Sequence, residues 1–367
     1  MRILHILNEL KPSGAEVMLE LAAPEWLKMG GELHMLALAE SPGPQAARLG
    51  AAGWKIGNIS REGGILQLVS RLTEAIRQIQ PDVVHLHQEG RSLPLCYAVW
   101  KARVPMLRTV HNNFPFNGNL RLRKAIERWI CRRMGSRHLA ISPSVKANEL
   151  ARFHNPTELC WNWFDAACFR PPADDERFAA RQRLGIPAGQ KVLVTVGNGS
   201  DTKNYRVVVE ALPGLGGTDV HYYQIGNPHP QGVDAQVAND LGVAGQVHLI
   251  GPRKDILDWL WACDVYLMPS IFEGYGLAAV EALAAGCECI FADCPGLADF
   301  KEMDVYARWE VPTAAVFSRT ISSILAQPTD AKLLTHNTEV ISEAFAVASR
   351  SRAYFDLWTS AIKASAR

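Results

Sequence analysis

The residues of this chain whose types and spacing could do chemistry are two glutamates, a lysine and the glycines beside them. Glu273 and Glu281 stand with seven residues between them inside Ser270–Gly286, Ser-Ile-Phe-Glu-Gly-Tyr-Gly-Leu-Ala-Ala-Val-Glu-Ala-Leu-Ala-Ala-Gly. An apolar run, Asp264–Met268, precedes the stretch and stops at Pro269 and Ser270, and a helix-forming run, Leu277–Ala285, follows. The pattern predicts strand, tight glycine turn, helix. Such a turn aims the first free N–H groups of a helix, here from Gly276, Leu277 and Ala278, at whatever sits above the strand end, and that position favours an anion. Glu281 falls inside an otherwise apolar helix, where a carboxylate is costly to bury without a partner. A sugar hydroxyl is a suitable partner. Donors for a phosphate beside two acceptors for hydroxyls are what a nucleotide-sugar requires. The plainer reading is an ordinary strand–helix junction whose glycines only turn the chain.

A second loop has the same design. Lys191–Val196 reads as a strand, Gly197-Asn198-Gly199-Ser200-Asp201-Thr202-Lys203-Asn204 as the loop after it, and Arg206–Leu212 as a helix. Backbone N–H groups with the point charge of Lys203 suit a diphosphate. Near the N-terminus, Arg2–Leu7 reads as a strand, Asn8–Glu16 as a loop with Pro12, Ser13 and Gly14, and Val17–Met29 as a helix. That helix start, at Gly14, could also hold an anion, and a plain βα turn explains it as well.

Glu273-Gly274-Tyr275-Gly276-Leu277 with Glu281 resembles the signature of family 4 retaining glycosyltransferases of GT-B fold. The resemblance runs in order through nearly the whole chain. Ser13-Gly14-Ala15-Glu16 is similar to the family's Gly-rich loop with one glycine replaced. Lys203-Asn204 matches the family's phosphate loop, but Asn198 stands where an Arg is usual, and Arg206 is the nearby cation that could compensate. Asn162-Trp163-Phe164-Asp165 to Phe169-Arg170-Pro171 resembles the segment that ends the first domain, with Trp163 in place of a glycine. The resemblance implies a nucleotide-diphosphate sugar donor, no metal or other cofactor, and retention at the anomeric carbon. Lys203 and the helix start would stabilise the leaving diphosphate, Glu281 would bind the ribose, and Glu273 would position the donor sugar. His111, which follows the strand Pro105–Val110, would contact that sugar; a His capping the next turn is the alternative. Main-chain contacts to the base would fall at the Gly251–Arg253 turn, with Arg253 the residue named for it.

These motifs need particular elements to hold them. At 367 residues the chain is too long for one ordinary core and predicts two domains. Strands and helices alternate in the rhythm of parallel sheets. The fold expected is α/β: two doubly wound Rossmann-like domains facing a central cleft, the first over 1–170, the second over 171–344, with a terminal helix near 345–367 packing back on the first. Gly63–Gln80 predicts an amphipathic helix with Ile65, Leu68, Val69, Leu72, Ile76 and Ile79 on one face. Pro81-Asp82-Val83-Val84-His85-Leu86-His87 is the next strand; its histidines face one way, and core packing explains such a pair as readily as a ligand site does.

Composition excludes several classes. A net charge of +1 leaves no overall nucleic-acid footprint. No run of about 18 apolar residues predicts a membrane span. Eight scattered cysteines contain no Cys-x-x-Cys pair, and Cys287, Cys289 and Cys294, with no nearby His, read as buried thiols. Met1–Leu7 reads as a strand and not a signal peptide, and a reducing, cytoplasmic setting is expected. Leu120–His138 carries Arg121, Arg123, Lys124, Arg128, Arg132, Arg133, Arg137 and His138 against one acid, Glu127, interleaved with Ile126, Trp129, Ile130 and Met134. A basic amphipathic helix with a Trp suits an anionic membrane surface or a lipid-linked phosphate, or else packs its apolar stripe inward. The expected function is transfer of a sugar, from a UDP-sugar by family frequency, to a glycan or lipid-linked acceptor of a bacterial surface polysaccharide. A non-catalytic nucleotide-sugar or glycan-binding partner, a sugar-nucleotide epimerase and a phosphorylase of the same fold are the alternatives.

Overall fold

The computed structural model describes residues 1–11 and 13–365. Pro12, assigned above to the first loop, lies outside them. The chain divides into two compact units, Met1–Phe164 joined by the segment from Phe345 onward, and Asp165–Ala344.

The first unit alternates strands and helices: β1 (Arg2–Leu7), α1 (Gly14–Lys28), β2 (Glu32–Ala37), α2 (Ala46–Ala51), β3 (Lys55–Asn58), α3 (Gly64–Ile79), β4 (Val83–Leu86), α4 (Ser92–Ala102), β5 (Met106–Val110), α5 (Gly118–Arg133), β6 (Ser136–Ala140), α6 (Pro143–Phe153) and β7 (Glu158–Leu159). Its parallel sheet has the order β3-β2-β1-β4-β5-β6-β7. The order reverses between β1 and β4, and ligands of doubly wound sheets bind outside the carboxyl ends at such a reversal. Helix α3 buries Leu68, Val69, Leu72 and Ile76, as its period predicts, but leaves Ile65 exposed in the first turn. Gln80 ends it in the left-handed region, φ 51°, just before Pro81.

The second unit contains α7 (Asp174–Arg183), β8 (Lys191–Val196), α8 (Arg206–Ala211), β9 (Val220–Ile225), α9 (Val233–Asp240), β10 (Val247–Gly251), α10 (Ile256–Ala262), β11 (Val265–Met268), α11 (Leu277–Ala284), β12 (Cys289–Ala292), β13 (Arg308–Glu310), α12 (Ala314–Ala326) and α13 (Ala331–Ala344). Its parallel sheet runs β10-β9-β8-β11-β12-β13, so the reversal lies between β8 and β11. The two loops singled out for chemistry leave these two strands.

The last helix, α14 (Val347–Ser365), belongs with the first unit. Trp358 and Tyr354 bury themselves beside Trp26, and the Trp26 indole N–H donates to the Ser351 carbonyl over 2.9 Å. Trp163, which departs from the family's glycine, joins this cluster. Its ring meets Trp26 and Tyr354 edge to face at 5.8 and 5.0 Å, and its N–H donates to the Met18 carbonyl at 2.8 Å. The unit boundary falls a few residues before the expected one at 170/171, because Arg170 is tied to the second unit. Its guanidinium stacks on Trp261, and its carbonyl accepts the Trp261 N–H at 2.7 Å.

Helix α5 faces opposite to a helix that packs an apolar stripe inward. It buries Lys124, Arg128 and Cys131, while Leu122, Ile126 and Trp129 are 61, 49 and 51 % exposed. The inward charges are paired. Arg128 donates to both oxygens of the fully buried Glu149, at 2.6 and 2.8 Å, and to Glu89 at 3.1 Å. Lys124 reaches Glu127 at 2.9 Å, and Arg108 of β5 meets Glu89. A charge buried this deeply is tolerable only with such partners.

Candidate functional site

The loops after β8 and β11 are joined by backbone and side chain. Ile271 N–H donates to the Thr202 carbonyl at 2.8 Å, and the Asn204 amide donates to the Pro269 carbonyl at 3.2 Å. This brings Lys203 Nζ to 2.8 Å from Glu273 Oε1. The buried Ser270 hydroxyl donates to the same oxygen at 2.6 Å. Glu273 is further fixed through its backbone, whose N–H donates to the Pro295 carbonyl at 2.9 Å. The loop after β12 passes so close that a Cβ on Gly296 would sit 2.3 Å from the Glu273 carbonyl oxygen, so only glycine fits there. Gly276 caps α11 with φ 75°, and Leu277 and Ala278 form its first turn. The predicted cation, carboxylate and helix start are thus gathered at one sheet reversal.

Glu281 lies in the next turn of α11, half-buried. Burial, and then the like charge of Asp165, push its carboxyl up to about 8. It is therefore largely protonated at neutral pH, an unrelieved cost of the kind found at binding sites.

Three other named residues are held elsewhere. The Asn198 side-chain oxygen accepts from the backbone N–H and the amide of Asn227 at 3.0 and 3.1 Å, so it ties the loops after β8 and β9 together. The exposed Arg206 donates to Glu210 at 2.6 Å, one turn along its own helix. Arg253 donates to Asp255 at 2.8 Å. Arg206 thus pairs along its own helix, because residues four apart on a helix surface meet.

In the first unit, Gly14 opens α1, and the preceding Ser13 donates its hydroxyl to Glu16, whose carboxyl burial pushes up. His111 follows β5. Its Nε2 lies 2.9 Å from Nδ1 of His87. Burial, and then the Arg108 charge, hold the His111 imidazole down to about 4, so it is neutral at physiological pH. Sequence reasoning did not single out Ser270, His5 or the Arg108–Glu89 pair. Their signal was a polar residue in or beside an inner strand of apolar neighbours. Among the described residues, His5, His85 and His87 form the one group with the spacing to hold a metal ion, whereas Cys287, Cys289 and Cys294 are buried free thiols.

Comparison with known proteins follows the same division. Residues 12–166 match the model described as Glycosyltransferase Family 4, and residues 176–340 match Glycosyl transferases group 1. D-inositol 3-phosphate glycosyltransferases are similar over 170 residues, 29 % identical in Mycolicibacterium smegmatis and 34 % in Mycobacterium ulcerans. Each alignment covers 43 % of this chain but only 38 and 36 % of those relatives, so the chain spans well under half of their length. The solved structure of HepE from Anabaena, in complex with UDP and glucose, superposes with a TM-score of 0.83 at 19 % identity, over 98 % of this chain and 100 % of that one. The strand order of both sheets, the loops gathered at their reversals and the two family matches agree: the chain belongs to the family 4 glycosyltransferases of GT-B fold.

Proposed function

We propose that the protein transfers a hexosyl or N-acetylhexosaminyl unit from a nucleotide-diphosphate sugar, with retention and without a divalent ion. The Lys203–Glu273 pair beside the α11 N-terminus carries this reading. Lys203 and the first N–H groups of α11 stabilise the negative charge that develops on the leaving diphosphate, as groups already in place before reaction. Glu281 binds the ribose hydroxyls. Glu273, oriented by Ser270, positions the sugar, and His111 is a neutral contact to it. Donor binding replaces the Lys203–Glu273 contact with Lys203–phosphate and Glu273–hydroxyl contacts. UDP and glucose in HepE support a uridine donor. Retention is tested by NMR of the product made from an α-linked donor in the presence of a chelator. An α-linked product is expected; a β-linked one, or turnover that stops with the chelator, contradicts the proposal.

The acceptor proposed is a glycan or lipid-linked intermediate of surface polysaccharide, met at the cytoplasmic face of a membrane. Support comes from α5, where Leu122, Ile126 and Trp129 lie outward among Arg121, Arg123 and Arg133. The Arg133 guanidinium stacks on Trp129 with 5.2 Å to the ring centroid. An apolar stripe edged by cations suits anionic lipid headgroups. Among the described residues no helix is long and apolar enough to cross a membrane. Co-flotation with vesicles rich in phosphatidylglycerol is expected, reduced about tenfold by Ile126→Asp with Trp129→Asp. Equal flotation of wild type and variant removes this part of the reading.

A further inference from the structure

The first unit holds a line of imidazoles, running from buried His5 to half-buried His87 and His111, that the proposed reaction does not by itself explain. His5 of β1 and His85 of β4 are register partners at the sheet reversal. His5 Nδ1 lies 2.9 Å from His87 Nε2, and His87 Nδ1 lies 2.9 Å from His111 Nε2. Three rings thus form one hydrogen-bonded chain, from the core to the loop after β5. His85 stands beside it with both nitrogens satisfied: Trp358 N–H donates to its Nδ1 at 3.1 Å, and its Nε2 meets Thr109 Oγ1 at 2.7 Å. Indole is a donor only, so His85 carries its proton on Nε2. With both its nitrogens engaged, His85 is not free to complete a metal site with His5 and His87.

The far end of the chain decides its direction. His5 Nε2 is buried and has no hydrogen-bond partner among the described residues. Its ring packs edge to face with Trp54 at 5.0 Å and with Trp358 at 5.4 Å, and lies 5.8 Å from Trp26. An N–H pointed at the negative face of an aromatic ring is attracted, whereas a lone pair there is repelled. The T-shaped packing on two indoles favours the proton on Nε2, with Nδ1 left to accept. His87 must then donate from Nε2 and accept at Nδ1, and His111 must donate from Nε2. Burial lowers all three rings well away from protonation, so each holds a single proton and the pattern cannot be broken by a charged member.

We propose that His5 and His87 are positioning residues that fix the tautomer of His111, so that its Nδ1 presents a lone pair and accepts a hydrogen bond from a hydroxyl of the donor sugar. This rests on the reading of His111 as a sugar contact. It makes His111 selective for a hydroxyl or another donor group at the position it faces. A sugar lacking that group, or bearing only an acceptor there, leaves the lone pair unmatched.

The test reads the proton directly. In protein labelled with ¹⁵N-histidine, two-bond ¹H–¹⁵N correlation assigns each ring, with His111→Gln identifying its signals. The expected spectrum shows His111 with Nε2 protonated and Nδ1 in the unprotonated range. Protonation at Nδ1 overturns the proposal, and this measurement needs no core variant to fold. In His5→Phe, which removes the acceptor and keeps an aromatic ring in the cage, His111 should move toward a mixture of tautomers. Its kcat should fall about tenfold, with His5→Asn restoring part of it through an amide oxygen. An unchanged His111 tautomer in a folded His5→Phe protein also overturns the proposal. The spectrum is independent of turnover: a protein that transfers no sugar yet shows the expected tautomer refutes the functional reading, and one that turns over with Nδ1 protonated refutes this inference.

Discussion

Lys203→Ala is expected to lower turnover by about 10²- to 10³-fold, the size found when one preorganised charge-stabilising group is removed. The Lys203 ammonium sits 2.8 Å from Glu273, and two hydrogen bonds join the loops that carry the pair, so a diphosphate has to draw the ammonium off the carboxylate but not to rebuild the backbone that presents it. The loss should fall on kcat more than on acceptor binding, because the charge that Lys203 meets grows in the transition state. Lys203→Arg keeps the charge but changes its shape and reach, and should restore activity only in part. Initial-rate kinetics with a fixed acceptor check both variants. An undiminished kcat in Lys203→Ala contradicts the role. A chain that binds nucleotide-sugar and never turns it over points instead to the non-catalytic partner, and Asn198, tied to Asn227 where the family has a cation, is the feature behind that reading.

Glu281→Gln is expected to strengthen the fold and weaken the site. The folded-state carboxyl titrates near 8 against 4.5 for the free group. A folded state that binds a proton more tightly than the unfolded state is favoured at low pH. Its stability falls as pH rises from about 4.5 to 8 and is level, as far as this group is concerned, above that. Gln does not titrate, so the variant should lose this slope. At pH 8.5 it should exceed the wild type by about 1–3 kcal/mol, discounted from the full shift because Glu281 keeps some solvent contact. Donor binding should move the other way. Two ribose hydroxyls donating to a carboxylate make charge-assisted hydrogen bonds, and the neutral amide should lose about 10- to 100-fold in affinity. Because the ligand favours the ionised form, wild-type affinity should rise with pH up to about 8 and then level, and the variant should be flat. Thermal unfolding and calorimetric binding from pH 6 to 9 measure both. A variant that loses stability at high pH, or binds the donor as tightly as the wild type, contradicts the assignment.

The two sheets were legible in the sequence because inner parallel strands are short apolar runs punctuated by glycine and proline. The Lys203 and Glu273 loops were legible for the same reason, each being a glycine turn between such a strand and a helix. Three things were not. Helix α5 was read by composition, and composition cannot say which stripe faces inward. Arg128 goes inside because Glu149 of α6 and Glu89 after β4 wait there, and those partners lie 21 and 39 residues away. Trp163 was legible only as a replaced glycine, because Tyr354, which packs on it, comes from α14, nearly 200 residues later. His5 looked like an ordinary strand residue, and only the β1–β4 register places it beside His85. The Arg206–Glu210 pair, by contrast, was legible locally, since residues four apart on a helix surface meet.

The most direct test of the central claim is a thermal-shift screen against UDP-, GDP-, ADP- and dTDP-sugars, each with and without Mg²⁺. A ligand at about 100 times its Kd adds roughly 2.7 kcal/mol of stability, so a true donor will register. The account predicts a shift with one nucleotide family, UDP-sugars first, that is the same in the absence of the metal and is lost in the double variant Lys203→Ala with Glu281→Gln. No shift with any nucleotide-sugar, or one that requires Mg²⁺, would contradict it.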